Sequence, residues 1–264
     1  MNEYSYRLMV QTSETPLSSW LGRSHWPKAQ RSMWRRASQA YGQVLNAMFS
    51  AAQTNLDAQV VRLSARKVRP HSQLLRGPAL AALLDYEEEV DPDIVVMTTH
   101  GRTGLARFAL GSIADGMVCE GVAPVLLTPS HGGPSGSIGS ALVPLDGSAL
   151  AEVALTMVQT LAGKPLARVR LLRVTKDRAE TPAARSYLTE KIVPRVSAWG
   201  LHVESHVEEG IAGLTIAAAA KDVDIVIMST HGRGGFDRLR HGSVAQRVIR
   251  DMSVPVLLVR SKPD

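Results

Sequence analysis

The chain has 264 residues, 45% hydrophobic, 5% aromatic and 20% charged, with a formal net charge of +6; that length holds two domains of ordinary size. The single cysteine, Cys119, excludes an internal disulfide or a cysteine metal cluster and reads as a small apolar residue on a buried helix face. No apolar run reaches bilayer length, so the expectation is a soluble α/β protein of the cytoplasm with no membrane partner.

The excess charge sits at one end. Residues 1–76 carry 11 Lys/Arg against 3 Asp/Glu, a balance of +8, whereas residues 77–264 carry 19 against 21, a balance of −2. Nothing after residue 76 interleaves aromatic and basic residues as a phosphate-tracking surface does, so nucleic acid is not an expected partner. The first segment is rich in Arg, Ser, Gln and Trp and shows no strand ending in aspartate and no clear βαβ period. Its fold stays open apart from a helix over about residues 30–56. Divergence, or an altered reading frame at the start of the gene, explains its abrupt composition better than an organellar transit peptide.

From residue 77 the pattern changes. Residues 77–91 read as a helix, with Glu87, Glu88 and Glu89 expected on a solvated face. A buried strand follows the acidic pair Asp91 and Asp93, then a glycine-rich loop. Gly111-Ser112 opens a short helix with the serine placed as its cap, and a strand closes the unit. Pro124 suits the edge of the sheet or the start of that strand. Residues 77–130 thus form a partial domain, and 131–138 a flexible linker by composition.

Residues 139–260 form a complete domain. Strand 141–145 ends in Asp146-Gly147-Ser148, and helix 148–161 places Leu150, Val153, Ala154, Met157, Val158 and Leu161 on one face. Strand 168–174, a helix over 182–199 that Pro194 should kink or interrupt, strand 201–207 and helix 211–220 come next. A strand, a glycine-rich loop, a helix opening at Gly242-Ser243 and a last strand finish the series. The order βαβαβαβαβ folds by right-handed crossovers into one parallel sheet with helices on both faces.

The two stretches are copies. Residues 93–129 align with 224–260 at a constant offset of 131, identical at 17 of 37 positions, which marks a duplicated domain rather than a solenoid repeat.

In a doubly wound sheet, ligands bind outside the carboxyl ends of the strands where the strand order reverses. The loop over residues 229–235 is rich in glycine, which lets backbone N–H groups approach phosphate oxygens, and the helix at Gly242-Ser243 adds donors and a favourable dipole. Arg233 adds charge, Ser243 can cap the helix, and Asp146 is the acceptor that ribose hydroxyls need. His100 and His231 have no nucleophile with a supporting carboxylate near them in sequence and read as loop-ordering residues. Gly101, Gly104, Gly232 and Gly235 suit either tight turns or phosphate contact, and Met97 and Met228 read as core residues at strand ends. His202 and His206, four apart on a strand with no acidic cluster, do not make a metal site.

Ser229-Thr230-His231-Gly232, nine further residues and then Gly242-Ser243 resembles the Gly-x-x-Gly, nine residues, Gly-Ser/Thr nucleotide motif of the universal stress protein family, with Ser229 at the first glycine. Thr98-Thr99-His100-Gly101, nine residues and then Gly111-Ser112 is similar, with Thr98 at that position. Residues 143–148 resemble the family's first strand with its ribose-binding aspartate.

The resemblance covers 139–260 fully and 77–129 in part. It implies a doubly wound parallel five-stranded sheet of order 3-2-1-4-5, in two tandem copies of which the first is incomplete. The copies would pack as an internal pseudo-dimer through their last strands, or the chain would form a homodimer there. It implies ATP, with Mg2+, held by Pro144, Asp146, Met228, Ser229, His231, Gly232, Arg233, Gly235, Gly242, Ser243 and Val244. A vestigial first-copy site would comprise Thr98, Gly101, Arg102, Gly111 and Ser112, without a ribose aspartate.

The implied function is a stress-response or signalling module with no defined catalytic reaction and at most slow ATP hydrolysis, since no general base is evident. The alternative is a nucleotide-free interaction module of the same fold acting through dimer surfaces. Ser229 and Thr98 favour that alternative, while Asp146 and Gly242-Ser243 favour the nucleotide. A synthetase of the wider adenine-nucleotide α-hydrolase type would need a substrate-activating loop that the sequence does not offer.

Overall fold

The computed structural model describes residues 5–12, 28–66, 68–99, 110–129, 137–163, 165–230 and 242–260, with side chains from residue 39 onward. The chain divides into two compact units, residues 1–86 and 87–264.

The first unit contains β1 (Ser5–Thr12), α1 (Lys28–Ser64) and β2 (Arg69–Arg76), and α2 (Ala79–Val90) runs across the division. β1 and β2 pair in parallel from Ser5↔Arg69 to Thr12↔Arg76, so this segment holds a βαβ unit where the residue pattern shows none. The signal is weak because both strands are rich in polar residues. α1 is longer than the expected 30–56 because nothing in it except Gly42 breaks a helix and it contains no proline.

A shift of 133 residues (202 less 69) lays β2 on the third strand of the second copy, and each is followed by a glycine of positive φ, Gly77 and Gly210. The same shift carries the second copy's second strand, residues 168–175, onto residues 35–42, inside α1. The first copy therefore has helix where the second has a strand.

The second unit is built on one seven-stranded sheet. The first copy supplies β3 (Val95–Thr98), α3 (Ser112–Glu120) and β4 (Val125–Thr128). The second supplies β5 (Ser140–Pro144), α4 (Ala149–Glu152), α5 (Ala154–Leu161), β6 (Arg168–Thr175), α6 (Thr181–Ser186), α7 (Val193–Ser197), β7 (His202–Glu209), α8 (Ala212–Ala219), β8 (Ile225–Thr230), α9 (Ser243–Asp251) and β9 (Val256–Arg260). The sheet order is β3-β4-β9-β8-β5-β6-β7. Within the second copy this is the expected 3-2-1-4-5, all parallel. The last strands of the two copies meet antiparallel, Val125↔Leu258 to Leu127↔Val256.

Leu155, Val158, Leu171, Leu188, Ile192 and Ile227 are fully buried between the second copy's sheet and its helices, each worth about 1.5–3 kcal/mol of transfer free energy. Pro124 and Pro255 each stand just before a strand, where a missing N–H costs no ladder bond. The expected interruption at Pro194 is present, since the α-helix stops at Ser186 and a new one starts at Val193. A π-helical turn over Tyr187–Ile192 precedes it, with Val193 N–H donating to the Leu188 carbonyl, and Pro194 falls in the first turn of α7.

Three further expectations are corrected. Glu87 is 3% exposed, not solvated: its Oε1 accepts Val122 N–H at 2.9 Å and Ala123 N–H at 2.7 Å, pinning the turn before β4, while Glu88 and Glu89 are exposed. Cys119 on α3 is half-buried, and its carbonyl accepts Arg260 Nη2 at 2.6 Å. Helix 148–161 is broken at Val153 into α4 and α5.

Candidate functional site

β8 and β6 flank β5, so the strand order reverses between β5 and β8. The carboxyl ends of these strands bring together residues far apart in sequence, and polar groups gather there.

At the end of β5, Leu145 N–H still donates to the Leu172 carbonyl at 2.8 Å, and the ladder stops at Asp146. Asp146 is exposed. Its Oδ1 accepts the Ser148 N–H at 2.9 Å and the Ser148 hydroxyl at 2.6 Å, a turn typical of aspartate. Ser148 Oγ in turn accepts Ala151 N–H at 3.0 Å and caps α4. Gly147 between them takes φ +84°, a left-handed backbone that favours glycine. One carboxylate oxygen thus fixes the turn, and Asp146 Oδ2 has no hydrogen-bond partner among the described residues.

At the end of β8, Met228 is buried, Ser229 is half-buried and Thr230 is 1% exposed. Ser229 lies inside the strand, as does Thr98 inside β3, and neither has positive φ. Serine and threonine at these places therefore demand nothing that glycine alone could supply, which removes the conformational objection to them. Thr230 Oγ1 is buried with no hydrogen-bond partner among the described residues. A buried hydroxyl without a partner is costly, and such groups mark places where a ligand or water completes the bonding.

α9 begins at Ser243 with Gly242 as its N-cap at φ +76°, and no side chain caps it. The expected role of Ser243 as cap is corrected: it is the first helical residue and exposed, so the first N–H groups of α9 have no side-chain acceptor. α3 repeats this with Gly111 as N-cap and Ser112 inside the helix, but there Gly111 has φ −61°. Val244 and Pro144 are half-buried. His231, Gly232, Arg233 and Gly235, with the first-copy residues Gly101 and Arg102 and with His100 and Gly104, lie outside the described residues.

The end of β6 adds Arg173, which the sequence pattern does not single out. A Cβ on Gly147 would lie 2.4 Å from Arg173 Nη1, so the guanidinium packs on the Asp146-Gly147 turn. Arg173 also lies 5.7 Å from the Tyr187 ring. Tyr187 donates to Glu152 Oε1 at 3.2 Å, and its phenol is pushed well above the ordinary tyrosine range, first by burial and then by the Glu152 carboxylate. Lys191 at 2.7 Å and Arg195 at 3.4 Å complete the bonds to Glu152. At the opposite end of the strands, Asp224 accepts Gly139 N–H, Ser140 N–H and the Ser140 hydroxyl at 3.0, 2.8 and 2.7 Å. These bonds, the hydroxyl's foremost, hold its carboxyl below the usual carboxylate range and lock the start of β5 to the start of β8.

Among the described residues no helix is long and apolar enough to cross a membrane, and no group of three His, Cys, Asp or Glu side chains is placed to hold a metal ion. His202 and His206 are exposed on β7, with His206 Nε2 3.7 Å from Glu204.

This arrangement defines a duplicated α/β protein whose second copy is a doubly wound parallel sheet with its strand order reversing between β5 and β8. The model of the universal stress protein family matches residues 24–129 and 138–260, and the chain belongs to that family. A universal stress protein of Mycolicibacterium smegmatis is 27% identical over 184 residues, 64% of this chain and 62% of that protein. One from Methanocaldococcus jannaschii is 34% identical over 73 residues, 27% of this chain and 43% of that protein. The chain thus spans less than two thirds of the length of either. The crystal structure of a universal stress protein from Archaeoglobus fulgidus shares the fold at TM-score 0.69 and 20% identity, over 83% of this chain and 81% of that one.

Proposed function

We propose that the second copy binds an adenine nucleotide, ATP with Mg2+, at the carboxyl ends of β5 and β8, and that binding serves stress-response signalling rather than a metabolic reaction. The observation that carries this reading is the orphaned Thr230 hydroxyl at the end of β8, one strand from the open carboxylate oxygen of Asp146. Asp146 would take ribose hydroxyls, and the uncapped N–H groups of α9 behind Gly242 would take phosphate oxygens. Bound Mg2+ would neutralise phosphate charge. Hydrolysis would be slow at most, because the sequence offers no evident general base. The first copy would be a weaker binder, because Gly111 lacks the positive φ of Gly242 and the sequence offers no ribose aspartate for it. The chain would work in the cytoplasm, with dimer formation through remaining sheet edges.

Calorimetric titration with ATP of the full chain, Asp146→Ala and Gly242→Val tests this. Micromolar binding that is lost in both variants is expected. No heat at millimolar ATP would sink the nucleotide reading and leave the nucleotide-free interaction module in its place.

A further inference from the structure

Among the described residues, Arg173 is a feature of this end of the sheet that binding of ribose hydroxyls and 5′-phosphates leaves unused. Its guanidinium lies directly on the Asp146-Gly147 turn, held there by the glycine's missing Cβ. Arg173 Nε is buried without a hydrogen-bond partner, and among the described residues Arg173 has no ion pair. Other cations of the second copy are placed differently. Arg170, three residues earlier on β6, has an equally buried and unbonded Nε, but it reaches Glu204 at 3.6 Å and Asp222 at 4.0 Å. The nearby carboxylate, Glu152, is occupied by Tyr187, Lys191 and Arg195. Arg173 instead has only the face of the Tyr187 ring at 5.7 Å. A half-buried guanidinium carries five donors in a rigid fork and cannot lose its charge, so leaving it without an anion is unfavourable.

Its position in the sheet says which part of a nucleotide it would meet. β6 and β8 lie on opposite sides of β5. The 5′-phosphates belong with Gly242 and α9, which follow β8, and the ribose belongs with Asp146 at the end of β5. Arg173 therefore stands on the far side of the ribose from the 5′-phosphates. In dinucleotide-binding doubly wound sheets, an acid near the phosphate loop takes a free ribose hydroxyl, and an arginine nearby accommodates a ribose 2′-phosphate instead. Asp146 Oδ1 is already engaged by both donors of Ser148, which lessens its repulsion of a second anion.

We propose that Arg173 sets the ligand preference of this site, favouring adenine nucleotides that carry a phosphate on the ribose 2′- or 3′-oxygen over those with both hydroxyls free. The proposal rests on the nucleotide reading above and adds to it a ligand class. Arg173 would hold that phosphate through paired guanidinium N–H bonds.

The test is calorimetric titration of the full chain with adenosine 5′-monophosphate, adenosine 2′,5′-bisphosphate and adenosine 3′,5′-bisphosphate, repeated with Arg173→Gln and Arg173→Lys. The full chain is expected to bind one bisphosphate about tenfold more tightly than the monophosphate. Arg173→Gln should bring that ratio to about one, and Arg173→Lys, which keeps the charge without the fork, should leave an intermediate ratio. Which bisphosphate wins identifies the ribose oxygen. A bisphosphate bound no more tightly than the monophosphate overturns the proposal, as does a preference that Arg173→Gln leaves intact. Titration with ATP separates the two readings: ATP heat that Asp146→Ala abolishes, without a bisphosphate preference, removes the role of Arg173 alone. Absence of heat with every nucleotide removes both.

Discussion

Thr230 and Asp224 show how differently one polar side chain can be treated at the two ends of the same strand. Thr230 Oγ1 is buried and bonded to nothing among the described residues, which is a standing cost in the unliganded protein. Thr230→Val keeps the shape and removes the hydroxyl, so it should stabilise the unliganded chain by about 1 kcal/mol in chemical denaturation and weaken ATP binding. A variant less stable than the parent would mean the hydroxyl is not orphaned. Asp224 is the reverse case, a carboxylate supplied with three donors and held below its ordinary titration range. A depressed folded-state value contributes stability that is fully present above the unfolded value, about 3.9, and is lost as pH falls through the folded value. Stability should therefore decline as pH drops below about 4, and less steeply in Ser140→Ala, which removes the largest cause of the depression. Denaturation midpoints across that range would decide it, since equal slopes in the two proteins would leave Ser140 without a role.

At the scale of elements, local chemistry at helix starts prepares the site. Ser148 joins two tasks, closing the Asp146 turn and capping α4. Ser148→Ala should cost about 1 kcal/mol of stability and should also weaken ATP binding, because Asp146 loses the hydroxyl bond and keeps only the backbone N–H of residue 148 to orient it. Thermal melts and titration of the one variant read the two effects separately, and unchanged affinity would show that Asp146 needs no such orientation. α9 does the opposite, since Gly242 offers its first turn no side-chain acceptor. The helix over 181–197 shows an element tolerating what its sequence opposes. A π turn before Pro194 supplies a different hydrogen-bond register, so the missing N–H of proline does not break the chain's course.

For the whole second unit, the joint between copies is the pairing of β4 with β9. Leu127 sits in it fully buried, opposite Val256. Leu127→Ala should cost about 3 kcal/mol in chemical denaturation, against well under 1 kcal/mol for an exposed residue such as Val122. A loss no larger at Leu127 than at Val122 would mean that the two last strands do not share a core. In that sheet β3 and β4 come from the first copy and the other five strands all come from the second.

The sequence by itself determined the duplication, the order of elements in the second copy and the sheet order through its family resemblance, and it marked Asp146 and Gly242 as candidate site residues. All of these are written in short-range patterns: alternation, glycine spacing and an exact internal offset. What only the tertiary structure decided depends on partners distant along the chain. Glu87 is buried because two backbone N–H groups 35 and 36 residues away need an acceptor. Ser229 is acceptable because its place proves to be ordinary extended strand. Arg173 reads as one of several cations on a strand until folding sets it on the Gly147 turn and gives its neighbours, but not it, a carboxylate. Pairing of polar groups is settled by which atoms meet in space, and periodicity in the chain carries no record of that.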